Sequence, residues 1–346
     1  MENKNNFDIV RLVLALIVLL VHAAEVTRST DIAWLAKILD SDFAVKGFFS
    51  ISGYLICKSY IRSSSLGSYF KKRFARILPA YIFAIFFCMI IGVCLTTLPL
   101  MNFILNKTTL KYVVANLSFL NFVQPTLPGV FTDNPNQPMD GSLWTIKAEL
   151  MLYLLLPAIV PFIKKYPLKT YLAIFAVSVV WFFYFTSIYS GPKAETLAKQ
   201  FIYLSSYFFF GSLLATNISF FSKLKEISIA SLVLYVLMKN THLSFLIEPI
   251  AYSAMVILFC TNMFKEVKIS HYGDLSYGLY LYHWPVIQVI THFGLYDSSP
   301  YMALLLTIII TLTMALISWH LLEKRFLQRK RTYSVDATDT TNAMLK

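Results

Sequence analysis

Residues 7–24 read FDIVRLVLALIVLLVHAA, a stretch in which Asp8, Arg11 and His22 are the only polar side chains. As a helix it is about 27 Å long, nearly the full depth of a bilayer's hydrocarbon core. The pattern recurs down the chain. Windows of about 19 residues predict further spans at residues 43–60, 77–98, 143–163, 171–189, 201–221, 227–238, 243–264, 272–293 and 301–322. The segment 227–238 is short for a span and fits a re-entrant or tilted helix equally well. Of 346 residues, 57% are hydrophobic and 14% charged, and the mean hydropathy is +0.63. That leaves too little polar surface for a water-soluble globule, and the apolar runs are too long for barrel strands. The fold class is therefore an all-α integral membrane protein with about ten transmembrane helices.

Loop charge sets the orientation. Residues 58–76 carry Lys58, Arg62, Lys71, Lys72, Arg73 and Arg76 with no acid, and the segment after Leu322 carries Lys324, Arg325, Arg329, Lys330 and Arg331. Basic loops stay cytoplasmic. An even number of spans puts both on that side, so both termini are expected inside and 227–238 is kept as a span. The same rule, with anionic lipid as a partner, accounts for a net charge of +12 without nucleic acid. Only Lys4 precedes the first apolar run and Arg11 interrupts it, so a cleaved signal peptide is not expected. One membrane domain is expected over residues 1–330, followed by a polar, disordered tail over 331–346. The Pro-rich connection 96–141 falls outside, and its stretch 112–123 is too short to span and suits the interface. Cys57, Cys88, Cys94 and Cys260 lie in apolar runs without ligand spacing. They read as buried thiols, and no metal is expected.

Ionisable side chains inside a span cost about 2.5–3.5 kcal/mol each on the insertion scale, which makes them functional candidates. Arg11 and His22 are eleven residues apart, three helical turns plus about 20°, so they share one face at a separation of about 16 Å along the axis. Glu149 lies a few residues into the fourth span, at a depth comparable to His22, and the two can meet. His283 sits mid-depth in the ninth span with Tyr280 and Ser276 on its face. Lys46 opens the second span, where it is expected to snorkel to the interface. His242, His271, His292 and His320 fall at span ends, where solvated structural roles are expected. At the inner surface Arg73 and Arg76, at i, i+3 spacing, suit bidentate phosphate binding with Lys72 beside them. Lys58, Arg62 and Lys71 need no role beyond topology.

Six blocks then stand in order: Arg11 with His22; GFFSISGYLI around Ser52; RFARILPAY from Arg73 through Arg76; SLWTIKAELMLY from Ser142 through Glu149 to Tyr153; the run from Ser276 to His283; and Glu323-Lys324-Arg325-Phe326. In these the chain resembles the acyltransferase-3 family of multispanning membrane O-acyltransferases that modify surface glycans. It departs from the family's pattern at Leu150, where a second acid is common, and at Arg325, where proline is common. It is also too short to carry the added extracytoplasmic hydrolase-like domain of some members.

The resemblance implies a multi-pass protein of the inner (cytoplasmic) membrane. It would move an acyl group, most often acetyl, from cytoplasmic acyl-CoA to a hydroxyl of O-antigen, capsule, exopolysaccharide or a lipid-linked glycan. On that expectation Arg73, Arg76 and Lys72 hold the CoA phosphates, and Arg11 lies along the path of the pantetheine arm. His22 acts as general base, oriented by Glu149 or, as a competitor one turn on, Glu25. Lys46, or groups near Ser52, are candidates to steady the oxyanion, with Tyr153 and His283 as further supporting residues. Direct transfer needs no protein nucleophile; an acyl-enzyme on Ser52 or His22 is the variant route. The rival from another class is a transporter or glycan flippase, with Arg11, His22, Glu149 and His283 lining a permeation path, but no inverted repeat is visible.

Overall fold

The computed structural model describes residues 6–191, 193–241, 243–261 and 273–327. His242, His271, the predicted span ends within 262–272 and the tail 331–346 lie outside them. The described elements are helices, with no strand among them. In chain order they are α1 (Phe7–Thr27), α2 (Trp34–Ile38), α3 (Ser41–Ile61), α4 (Leu66–Leu95), α5 (Leu100–Ile104), α6 (Lys107–Leu117), α7 (Trp144–Lys165) and α8 (Pro167–Phe183). There follow α9 (Ala194–Ala198), α10 (Phe201–Thr216), α11 (Ile218–Ser222), α12 (Leu224–Met238), α13 (Glu248–Thr261), α14 (Leu275–His292), α15 (Leu295–Ser298) and α16 (Pro300–Ser318).

Each predicted apolar segment overlaps at least one of these helices within the described residues. Five helical segments, Phe7–Thr27, Leu66–Leu95, Trp144–Lys165, Pro167–Ile188 and Pro300–Leu327, are long and apolar enough to cross a membrane. Three expectations are corrected. The basic segment 58–76 is only briefly a loop, because α4 begins at Leu66 and carries Lys72, Arg73 and Arg76 as helical residues. The predicted segment 201–221 breaks at Asn217, whose extended backbone and side chain, accepting from the Phe220 amide, end α10 and cap α11. Cys94 is exposed while the other three thiols are buried, because it falls in the last turn of α4.

The chain forms two compact units. The first comprises Met1–Val18, Asp40–Leu66 and Thr145–Ile269. At its centre α10 is buried all round from Tyr203 to Leu214, as a helix enclosed by others must be. In lipid, helices associate through close packing and hydrogen bonds rather than the hydrophobic effect, so small residues mark the contacts. A Cβ on Gly53 of α3 would fall 1.8 Å from the Phe208 carbonyl oxygen, and one on Gly211 of α10 would fall 2.2 Å from that of Ser50. The Ser212 hydroxyl donates to the Gly53 carbonyl at 3.1 Å, and Ser50 shares a 2.8 Å bond with Ser253 of α13.

The second unit comprises Leu19–Leu39, Gly67–Trp144 and Ser270–Lys346. Here α14 packs on α16 through Gly278, where a Cβ would lie 2.8 Å from the Ala315 Cα, and through a 2.8 Å bond from the Tyr282 hydroxyl to Ser318. The long connection 96–141 is pinned rather than loose. The Gln288 side chain on α14 donates to the carbonyls of Asn136 and Pro138, at 2.8 and 2.7 Å, and accepts from Asn134. On α6, Leu110, Val114 and Leu117 form one exposed stripe while Tyr112 and Asn116 are buried, the amphipathic pattern expected at an interface.

Overpacking a tight helix contact costs about 1–3 kcal/mol. Gly53→Ala should therefore lower the thermal unfolding midpoint in detergent measurably, because its new methyl meets backbone that cannot rotate away. An unchanged midpoint would contradict the close approach of α3 and α10.

Candidate active site

In the second unit His22 and His283 meet. His22 Nδ1 lies 2.9 Å from His283 Nε2, the rings 17° from coplanar. His283 is fully buried and His22 half-buried. His283 Nδ1 lies 2.7 Å from the Tyr280 carbonyl oxygen and 3.2 Å from that of Leu279, one turn back on its own helix. The Trp284 ring meets His22 edge-on at 5.1 Å between centroids. The sequence offers Glu149 or Glu25 as the group that orients His22, whereas the hydrogen bond shown at its Nδ1 goes to His283. Periodicity places both histidines in helices but cannot pair residues 261 positions apart.

The connection leading into α7 supplies residues that the sequence reading passed over. The Asp140 carboxylate accepts from the Ser142 amide at 2.9 Å and from its hydroxyl at 2.6 Å, an Asx turn. The intervening Gly141 lies against Trp284, where a Cβ would fall 2.5 Å from the ring. The Tyr280 hydroxyl donates to the Ser142 carbonyl at 3.3 Å. Asp140 thus belongs to the turn that seats Trp284 and the His283 helix. The run Asp-Gly-Ser just before an apolar segment was its one local signal. Asp140 Oδ2 is buried with no hydrogen-bond partner among the described residues.

The basic positions on α4 divide. Arg76 forms 2.5 Å ion pairs with both Asp274 and Glu323, and its guanidinium stands 5.3 Å from the Tyr277 ring centre and 5.6 Å from that of Trp319. Ser276 donates to Asp274 and Ser318 to Glu323. Arg76, expected as half of a phosphate fork, is thereby tied to α14 and to the end of α16. Lys72 and Arg73 are half-buried on the same helix.

In the first unit, Ser52 donates to Glu149 Oε1 at 2.9 Å and the Tyr153 hydroxyl donates to the same oxygen. Arg11 is half-buried on α1. Lys46 corrects the expectation that it snorkels to the interface, since it is only 6% exposed. It pairs with Asp42 at 2.6 Å and with Glu248, among the rings of Tyr203, Tyr207 and Tyr252. Two carboxylates and three aromatic faces compensate the buried ammonium, which makes it a clamp of α3 to α13. Among the described residues no cluster of three His, Cys, Asp or Glu is placed to hold a metal ion.

Burial raises the Asp140 carboxyl to about 7, against the opposing pull of the two Ser142 donors. An unfolded aspartate titrates near 3.9. Between these values the folded protein binds the extra proton, so stability falls as pH rises from about 4 to about 7. Asp140→Asn should flatten that slope in thermal unfolding measured from pH 5 to pH 8. A wild-type slope retained by the variant would place the titration elsewhere.

Comparisons with known proteins identify the family. A family model described as an acyltransferase domain matches residues 4–323. An "O-acetyl transferase" of Shigella phage Sf6 is 29% identical, with 95% of this chain and 98% of the relative covered. "Nodulation protein 10" of Rhizobium leguminosarum bv. viciae is 27% identical, with 93% of each covered. No solved structure matches the chain. A helical membrane protein whose family match runs from the start of α1 to Glu323 is an O-acyltransferase, and the chain belongs to the acyltransferase-3 family.

Proposed function

We propose that this acyltransferase moves an acetyl group from acetyl-CoA, presented at the cytoplasmic side of the inner membrane, to a hydroxyl of a cell-surface polysaccharide or its lipid-linked precursor. The chain then crosses the membrane ten times with both termini inside. The acetyl group is supported by the phage relative's name, and the orientation by the basic charge on α4 and after Leu322.

The observation that carries this reading is the hydrogen bond between His22 Nδ1 and His283 Nε2. It fixes the ring and leaves Nε2 as the nitrogen that can take a proton from the acceptor hydroxyl. The resulting alkoxide oxygen attacks the thioester carbonyl, the C–S bond breaks and CoA leaves as a thiolate. The proton held on His22 neutralises that thiolate. Arg73 and Lys72 hold the phosphates of the donor. Arg76 fixes α4 through its two carboxylates, so that the neighbouring Arg73 is presented in a set direction. Glu149 acts through the hydroxyls it holds, Ser52 and Tyr153.

His22→Ala should abolish O-acetylation while the protein remains inserted. The test compares surface glycans from cells carrying the intact or variant gene, by mass spectrometry before and after mild alkali. An alkali-labile acetyl increment present only with the intact gene is expected; no difference on any glycan would favour transport instead. In purified protein Arg73→Ala should raise the KM for acetyl-CoA about tenfold, the size of one lost charge-assisted hydrogen bond. Arg76→Ala should chiefly lower the unfolding midpoint, since it strands the buried Glu323 carboxylate and the half-buried Asp274 one. An Arg73 variant with unchanged KM would return that residue to topology.

A further inference from the structure

We infer that His283 is a positioning residue that sets the tautomer of His22, in the place an aspartate holds in a Ser-His-Asp triad. The inference rests on the acyl transfer proposed above for its consequence, but on geometry for its content.

A backbone carbonyl can only accept a hydrogen bond. Both neighbours of His283 Nδ1, the oxygens of Tyr280 and Leu279, are carbonyls of its own helix, so Nδ1 carries the ring's hydrogen. In a neutral imidazole the other nitrogen is then a lone-pair acceptor. His283 Nε2 faces His22 Nδ1 at 2.9 Å, so the hydrogen between them belongs to His22. With Nδ1 protonated, neutral His22 carries its lone pair on Nε2. The order of protons runs one way, from helix carbonyl to His283 to His22, and ends on a base. The other tautomer of His283, with its hydrogen on Nε2, would set the Nδ1 lone pair against a carbonyl oxygen at a fully buried side chain, an arrangement that leaves two acceptors facing each other.

The reaction uses this order without changing it. The acceptor O–H bond breaks, its proton goes to His22 Nε2 and its electron pair forms the new C–O bond at the thioester carbonyl. As the C–S bond breaks, the thiolate takes the electron pair and then the proton from Nε2. Throughout, His22 keeps its Nδ1 hydrogen donated to His283, which stabilises the imidazolium through its lone pair and touches no reacting atom. Trp284, edge-on to His22 and bonded through its indole nitrogen to the Pro138 carbonyl, limits the ring from another side.

The glutamine side chain reaches where histidine places Nε2 and offers a carbonyl oxygen there; asparagine is one methylene shorter and does not. His283→Ala and His283→Asn should therefore lower kcat about 100-fold, in the range for general-base catalysis, with the KM for acetyl-CoA unchanged. His283→Gln should recover most of that rate. A glutamine variant as slow as alanine, or an alanine variant within twofold of the wild type, would overturn the assignment. Ring 15N shifts of histidine-labelled wild-type protein in detergent, at a pH where both rings are neutral, give a second test that requires no variant to fold. His22 protonated at Nδ1 supports the assignment and protonation at Nε2 refutes it. This readout is independent of activity. A correct tautomer in a protein that transfers no acetyl group would reject the proposed reaction and leave the role of His283 intact.

Discussion

Hydrocarbon offers no water to a polar group, so each polar side chain placed inside the membrane must find its partner in the protein. That constraint accounts for several of the bonds that join the helices. The buried ammonium of Lys46 is met by Asp42 and Glu248, and the guanidinium of Arg76 by Asp274 and Glu323. The His22 ring is met by another imidazole. Each group has at least one partner far away in sequence, so the groups most costly to bury also specify which helices pack together. Losing one partner leaves a stranded charge, which costs several kcal/mol and is worse than losing the pair.

The helices that carry these groups approach closely where the sequence is small. Gly53 and Gly211 let α3 and α10 touch through backbone, and Gly278 does the same for α14 against α16. In lipid such contacts substitute for the hydrophobic effect, which has no gradient between a leucine side chain and an acyl chain. They also hold α14 stiffly. His283 lies five residues beyond Gly278 on that helix, and the connection 96–141 is bonded to α14 through Gln288 and Trp284. A histidine whose role is to fix another ring needs this rigidity, because its own Nδ1 takes direction from the carbonyls of Tyr280 and Leu279.

Much of this was legible in the sequence, and the rest was hidden for definable reasons. Local hydropathy found the apolar segments, since the desolvation of a span is summed along contiguous residues. Helical periodicity put Arg11 and His22 on one face of α1, and the cost of burial marked His22, Glu149 and His283 as candidates. Pairing was not legible. Nothing local to His22 distinguishes an orienting Glu149 from His283, and charge alone favoured the carboxylate. Lys46 was misread for a similar reason. Its position at the start of a span suits snorkelling, and only the fold brings Glu248, some 200 residues away, into reach. Asp140 sits in a connection where carboxylates are ordinarily solvated, so its burial could not be inferred from its neighbours.

The choice of histidine rather than aspartate behind His22 has a physical rationale in this setting. A carboxylate beside a neutral imidazole is an uncompensated charge in the resting enzyme, and within a span it would need a cation or several donors of its own. Two neutral imidazoles carry no net charge, and their one outstanding donor is satisfied by helix carbonyls already present. The disadvantage appears when His22 takes a proton, because a lone pair stabilises imidazolium less than a carboxylate does. That loss is smallest where the proton is held briefly, as it would be in the proposed reaction, where a thiolate forms nearby and removes it. A thioester donor, whose leaving group departs as an anion, is thus matched to a base oriented by a neutral partner. A permeation path, which must hold a proton or ion between two openings, gains nothing from the arrangement.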